Sequence, residues 1–140
     1  SERRARDGGD RLRALLAGLP KVFGQSRTLV GHSYGSTTIG AALLAGATVD
    51  NVVVMGSPGV LVDDADELHR PETDFYALAA RRDVIADLGW FGRSPTSSGS
   101  GFERLAADGT GHGSYFVDGS GSQANVLAVL LDRDDLLAPG

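Results

Sequence analysis

The stretch GHSYG at residues 31–35 has the pattern G-x-S-x-G and joins two segments of different character. Residues 28–30 before it form a short apolar run that is typical of a strand. Residues 37–46 after it are mostly small and apolar, which is typical of a buried helix. On a strand–turn–helix unit this pattern lifts the serine oxygen clear of the sheet. We expect the turn to need both glycines, because a side chain at either position would collide with neighbouring backbone.

Short apolar strands alternate with helical segments along the rest of the chain. The run NVVVM at Asn51–Met55 is continuous and β-branched and is followed by the turn GSPG, which predicts a buried parallel strand. Two further strands are predicted at 75–80 and 102–107, and helices at the start of the chain and at 122–132. This alternation predicts one α/β domain over residues 1–140, with a mostly parallel sheet of about four strands and flanking helices.

Spacing of apolar residues predicts which face each terminal helix buries. In the first helix the apolar stripe consists of Leu12, Leu15, Leu16 and Leu19. In the last helix the inward residues are predicted to be Val126, Leu127, Leu130 and Leu131.

The low-complexity segment at 94–101 is typical of a flexible surface loop. The apolar pair Trp90 and Phe91, flanked by glycines, fits a pocket lining and a core position equally well.

Composition excludes several kinds of function. The chain has no cysteine, so disulfide scaffolds, thiol nucleophiles and cysteine-ligated metal centres are excluded. The formal net charge of −5 argues against a nucleic-acid or anionic-membrane binder. No apolar run is long enough for a membrane span, and no signal-like apolar segment follows the first arginines, which favours a cytoplasmic protein. The acidic run at 63–67 lacks the spacing of a calcium loop and predicts a solvated helix start, not a metal site.

A serine on such a turn acts with an acid and a histidine, which follow it in that order along the chain. The sequence has three histidines. His32 lies inside the motif, and we expect it to point away from the serine and to orient or pack. His69 stands in a polar stretch that is typical of a solvated surface. His112 lies in a glycine-rich loop just before the final helix, which makes it the candidate base.

The candidate acid is Asp83, which follows the third predicted strand by three residues. There, at the carboxyl end of a parallel strand, a carboxylate can reach a histidine in the next loop. Asp87 is the nearest competitor, and the aspartates at 63–66 follow the second strand. Asp83 could equally cap a helix at 84–88, and the two roles are compatible.

Four segments of the chain are similar to the α/β-hydrolase superfamily, and more narrowly to an uncharacterised, largely actinobacterial branch of it. They are GHSYGSTT at 31–38, VDNVVVMGSPG at 49–59, ARRDVI at 80–85 and GHGSYF at 111–116. The first is shared by the whole superfamily, whereas the others narrow the resemblance to the branch. Members of the superfamily are mostly esterases, lipases, thioesterases and related acyl-transfer enzymes.

The resemblance implies a serine hydrolase that cleaves an ester or thioester through an acyl-enzyme. Ser33 would be the nucleophile, His112 the general base, Asp83 its orienting acid and the Tyr34 backbone N–H one oxyanion donor. A small acyl compound would be the substrate, and no metal or organic cofactor is required. Two alternatives stay open: an acyltransferase with the same triad, and a catalytically silent domain that serves binding or assembly.

The chain departs from the superfamily before the motif. Members have several strands there, and one of the earlier loops supplies the second oxyanion donor, whereas this chain has a single helix. We therefore expect the carboxyl-terminal half of a longer hydrolase, with impaired activity if the chain is truly truncated. Residues 28–30 would then form an open apolar sheet edge, through which we expect the chain to associate.

Overall fold

The computed structural model describes residues 1–109 and 111–140, and this part of the chain contains one four-stranded parallel sheet. The strands, in their spatial order, are β1 (Thr28–His32), β2 (Asn51–Met55), β3 (Asp74–Leu78) and β4 (Glu103–Arg104). The α-helices are α1 (Glu2–Gly18), α2 (Tyr34–Leu44) and α3 (Gly121–Leu130), and short 3₁₀ helices cover Ala65–Leu68 and Asp134–Leu136. The α/β fold class with flanking helices, predicted from the sequence, is confirmed.

The sheet separates two apolar clusters because successive side chains of a strand point to opposite faces. In β2, which is buried at every position, Val52 and Val54 pack with the helices α1 and α2. Val53 and Met55 pack on the other face, with α3. β2 is paired on both sides and covered on both faces, as the continuous apolar run predicts.

The predicted buried stripe of α1 is wrong for two of its four leucines. Leu16 is buried, whereas Leu15 is 60% exposed and Leu19 is 47% exposed. The face that α1 buries is marked instead by Ala5 and Gly9. A Cβ at Gly9 would lie 2.6 Å from the Cβ of Ala41 in α2. The two helices therefore meet through small residues, and this close approach rotates the leucine stripe partly into solvent.

The inward face of α3 also differs from the prediction. Val126 is buried as expected, but the exposed residues of the predicted face are Leu127, Leu130 and Leu131. Asn125 is buried, and its side-chain amide donates to the carbonyl oxygens of Ala106 (2.9 Å) and Ala138 (3.1 Å). Its oxygen accepts from the Ala138 N–H at 2.8 Å. These bonds to two backbone segments orient the helix. The face that it buries therefore differs from the face that the leucine spacing predicts.

Several predicted boundaries shift. The strand expected at 102–107 is only Glu103–Arg104, and the strand expected at 75–80 is Asp74–Leu78. The helix predicted at 37–46 begins earlier, inside the GHSYG motif at Tyr34, and ends at Leu44. The helix expected at 84–88 is absent, and residues 84–87 form turns.

The loops are more ordered than their composition suggests. In the segment 94–101, Ser100 is buried and its hydroxyl donates to the Pro95 carbonyl at 2.6 Å, so this segment packs as tight turns. The acidic run opens a 3₁₀ helix that Asp64 and Glu67 cap reciprocally, which confirms the predicted helix start. Across residues 1–109 and 111–140, no helix is both long and apolar enough to span a bilayer.

One of the two edge strands of the sheet is β1. In the described chain β1 pairs with β2 alone, and Val30 is partly exposed. The open edge expected at 28–30 is therefore present, and association through it stays a prediction.

Candidate active site

Ser33 occupies a strained turn between β1 and α2. Its φ of 54° and ψ of −131° lie in a region that residues with a side chain rarely adopt. The Ser33 N–H donates to the Met55 carbonyl at 2.9 Å, and the Ser36 N–H donates to the Ser33 carbonyl at 3.0 Å. Bonds to the neighbouring strand and to the first turn of α2 thus hold the serine in this conformation.

Only one of the two motif glycines is required by close packing. A Cβ at Gly31 would lie 2.7 Å from Ile39 Cδ1 and 3.0 Å from the Cα and N of Ser36. A Cβ at Gly35 would meet nothing within 4 Å. The expectation that both positions exclude a side chain is therefore wrong for Gly35, which is exposed at the start of α2.

The structure brings together the three side chains that the sequence singled out. The nucleophile candidate Ser33 has its Oγ 2.8 Å from Nε2 of His112. The other ring nitrogen of His112, Nδ1, lies 2.8 Å and 3.0 Å from the two carboxylate oxygens of Asp83. A carboxylate only accepts, so Nδ1 carries the proton and the unprotonated Nε2 accepts from the serine hydroxyl. The competitor Asp87 is exposed.

Asp83 is buried and fully engaged. Its Oδ1 accepts from the backbone N–H groups of Ile85 (3.1 Å) and Ala86 (3.3 Å), so it caps a turn as well as facing His112. The capping contact weighed from the sequence is present, although no helix follows, and the role of catalytic acid stays a prediction. Burial alone would raise the pKa of Asp83, but hydrogen bonds from Tyr115 and His112 outweigh it and hold this pKa below its ordinary value. The carboxylate therefore stays ionised beside the imidazole.

Tyr115 is the contact that the sequence reasoning missed. It is 1% exposed, and its hydroxyl donates to Oδ2 of Asp83. The only signal in the sequence was the segment GHGSYF, which places a tyrosine three residues after His112.

His32 lies against the loop that carries His112. Its Nε2 donates to the His112 carbonyl at 2.7 Å, and the two rings are 4.6 Å apart between centroids. This agrees with the orienting or packing role expected for His32. His69 is exposed, as predicted.

The GSPG turn after β2 lies directly beneath the Asp83–His112 pair. Gly56 has a φ of 54°, and a Cβ there would lie 2.9 Å from Nδ1 of His112 and closer still to Oδ2 of Asp83. The absence of a side chain at Gly56 therefore makes room for the acid and the imidazole to meet.

Tyr34, the first residue of α2, places its backbone N–H at the positive end of the helix, where such groups lack intrahelical acceptors. Its ring lies edge-on to Phe91, with centroids 5.7 Å apart. Phe91 is partly buried beside the serine turn, whereas Trp90 is exposed and is not a core residue. In the part of the chain that is described, no group of three or more potential metal ligands comes together.

The fold agrees with the comparison with known families. A model described as alpha/beta hydrolase matches residues 1–92, and the chain belongs to this family. The matched part includes Ser33 and Asp83, whereas His112 lies beyond it.

The chain is similar to uncharacterized mycobacterial proteins. The protein Rv0963c of Mycobacterium tuberculosis is 39% identical over 84 residues, which is 57% of this chain and 32% of that protein. A Mycobacterium bovis protein, Mb0988c, matches to the same extent. Rv2079 of Mycobacterium tuberculosis is 39% identical over 90 residues, which is 61% of this chain and 14% of that protein. The aligned part is thus about a third or less of these relatives, and no solved structure matches.

Proposed function

We propose that this protein is a serine hydrolase that cleaves an ester or thioester through a covalent acyl-enzyme. The observation that carries the proposal is one uninterrupted line of hydrogen bonds, from Ser33 Oγ through His112 to Asp83. The nucleophile candidate also sits on a strained turn, and such strain clusters at active sites.

In the first step, Ser33 Oγ attacks the carbonyl carbon of the substrate while His112 Nε2 takes the hydroxyl proton. The attack forms a C–O bond and moves the carbonyl electron pair onto oxygen. Asp83, ionised and buried, fixes the tautomer of His112 and stabilises the imidazolium that forms.

The negative oxygen of this intermediate needs hydrogen-bond donors. The backbone N–H of Tyr34 is the donor that the turn supplies, and the amino end of α2 adds its dipole. A single donor of this kind contributes roughly 10²- to 10³-fold to turnover.

The intermediate then collapses, and the bond to the leaving alcohol or thiol breaks as His112 returns the proton to it. His112 then takes a proton from a water molecule, which attacks the acyl carbon. The bond from this carbon to Ser33 Oγ breaks, His112 returns the proton to Oγ, and the acid is released. Each step uses the side chains named here, the Tyr34 N–H and water, so the proposal invokes no cofactor.

A panel of 4-nitrophenyl esters and thioesters of increasing acyl length tests the proposal. We expect hydrolysis by the parent chain, its loss in Ser33→Ala, and its retention in Ser98→Ala, a matched change at an exposed serine. Faster product formation with an added alcohol or amine acceptor would assign the same site to acyl transfer. Equal hydrolysis by Ser33→Ala and the parent, or a folded but inert parent, would contradict the proposal.

A further inference from the structure

We propose that Tyr115 is a positioning residue for this site, because its hydroxyl holds the Asp83 carboxylate in the orientation in which it accepts from His112 Nδ1. This inference rests on the proposed function, and it adds a fourth side chain to the three expected from the sequence.

The direction of the hydrogen bond is set by the second partner of the hydroxyl. The N–H of Ala80 donates to the Tyr115 oxygen at 2.9 Å. Because a phenol has one proton, that proton is left for Oδ2 of Asp83, which only accepts. The hydroxyl therefore ties the carboxylate to the backbone just beyond the end of β3.

The two oxygens of Asp83 are held in different ways. Oδ1 accepts from two backbone N–H groups, those of Ile85 and Ala86. Oδ2 accepts from Tyr115, and the His112 Nδ1 proton lies between the two oxygens, 2.8 Å from Oδ1 and 3.0 Å from Oδ2 for the nitrogen. Without the tyrosine hydroxyl, Oδ2 would keep only the longer His112 contact, and both backbone donors would hold the carboxylate at Oδ1. Rotation about its Cβ–Cγ bond would then disturb the His112 orientation.

One short loop supplies both the candidate base, His112, and Tyr115, which holds the Asp83 carboxylate. Tyr115 follows His112 by three residues, and the Ser114 hydroxyl closes the turn by donating to the Gly111 carbonyl at 2.6 Å. The Tyr115 ring also packs against His32, with centroids 5.6 Å apart. This packing fixes the ring, and hence the position of its hydroxyl.

The protonation states suit this role. Burial, and then the hydrogen bond to Asp83, raise the pKa of Tyr115 well above its ordinary value, so the hydroxyl remains a donor at working pH. The same bond lowers the pKa of Asp83.

The first test compares Tyr115→Phe with Tyr76→Phe, which removes a hydroxyl from another buried tyrosine of the same cluster. The readout is the rate at which a fluorophosphonate labels Ser33. We expect roughly a 10- to 100-fold loss for Tyr115→Phe, since hydrogen bonds to charged groups and to orienting partners have effects of this size. Tyr76→Phe should label at the parent rate.

A double-mutant cycle separates positioning from a general structural effect. If Tyr115 acts through Asp83, Tyr115→Phe should cause little further loss of rate in an Asp83→Asn background. Equal, multiplicative losses of rate in both backgrounds would overturn the proposal.

A spectroscopic readout keeps the inference independent of activity. In Ser33→Ala protein, the Nδ1 proton of His112 should give a low-field NMR signal that Tyr76→Phe retains and Tyr115→Phe broadens or shifts. An unchanged signal would overturn the role of Tyr115. If Ser33 is labelled in no protein, the proposed function fails while this comparison still decides the inference.

If Tyr115→Phe does not fold, the unmodified chain supplies the test. We then expect a Tyr115 hydroxyl proton that exchanges slowly with solvent, and an Asp83 carboxyl carbon that titrates below the ordinary range. A rapidly exchanging hydroxyl proton, or an ordinary Asp83 titration, would overturn the proposal.

Discussion

Replacing Gly56 by alanine would place a methyl group where the acid and base of the site meet. The added Cβ would lie 2.9 Å from His112 Nδ1, and closer to Asp83 Oδ2. Carbon approaches oxygen to only about 3.3 Å in ordinary contacts, so the imidazole would move by about 0.4 Å and the carboxylate by about 1 Å. A misplacement of about 1 Å can lower a rate about 100-fold. We therefore expect Gly56→Ala to label with a fluorophosphonate roughly 10 to 100 times more slowly than the parent.

The control for this change is Gly119→Ala. Gly119 also has a positive φ, of 72°, but a Cβ there would meet nothing within 4 Å. This variant therefore carries the backbone strain of alanine at positive φ, about 1 kcal/mol or more, without the clash. Melting temperatures and labelling rates of both variants separate the two effects. Labelling of Gly56→Ala at the rate of Gly119→Ala would refute the reasoning.

Three further predictions concern the acid, the serine turn and the alkaline limit of stability. Asp83→Asn should slow Ser33 labelling by roughly 10³- to 10⁴-fold, because an amide supports the wrong tautomer of the histidine, whereas Asp87→Asn should leave the rate unchanged. In urea unfolding, Gly31→Ala should lower the free energy of unfolding by about 1–3 kcal/mol through overpacking, while Gly35→Ala should leave it unchanged or raise it by up to about 1 kcal/mol. Burial, reinforced by nearby carboxylates, raises the pKa of Tyr76 to about 12 from 10.0. The folded state therefore binds more protons than the unfolded state between these values, so stability falls as the pH rises above 10, and less steeply in Tyr76→Phe.

The serine turn and the buried central strand could be predicted because their signals are local. Strand β2 is recognisable from five consecutive residues, and the turn from five more. Asp83 and His112 were then found because loops at the carboxyl ends of parallel strands meet at one edge of the sheet. The contacts of His112 with Ser33 on one side and Asp83 on the other agree with that inference.

The buried faces of two helices could not be predicted from spacing alone. The face of α1 depends on its close approach to α2 at Gly9, and the face of α3 depends on hydrogen bonds from Asn125 to distant backbone. Both causes are tertiary contacts, which outweigh the leucine pattern within a single helix.

The surroundings of the acid also lay beyond the sequence. Tyr115 bonds to Asp83 across 32 positions, and Gly56 approaches both Asp83 and His112 from a third segment of the chain. Tyr115 and Gly56 both lie in segments that resemble the superfamily, but the sequence does not show what either residue contacts. Their contacts with Asp83 and His112 are seen only when the three loops are brought together in the fold.

Peptide mapping after reaction with a fluorophosphonate locates the nucleophile. We predict one adduct, on Ser33, that forms on the folded chain and is absent from Ser33→Ala. An adduct on another serine, or an unmodified Ser33 in a folded parent chain, would contradict the assignment of Ser33, His112 and Asp83 as a working triad.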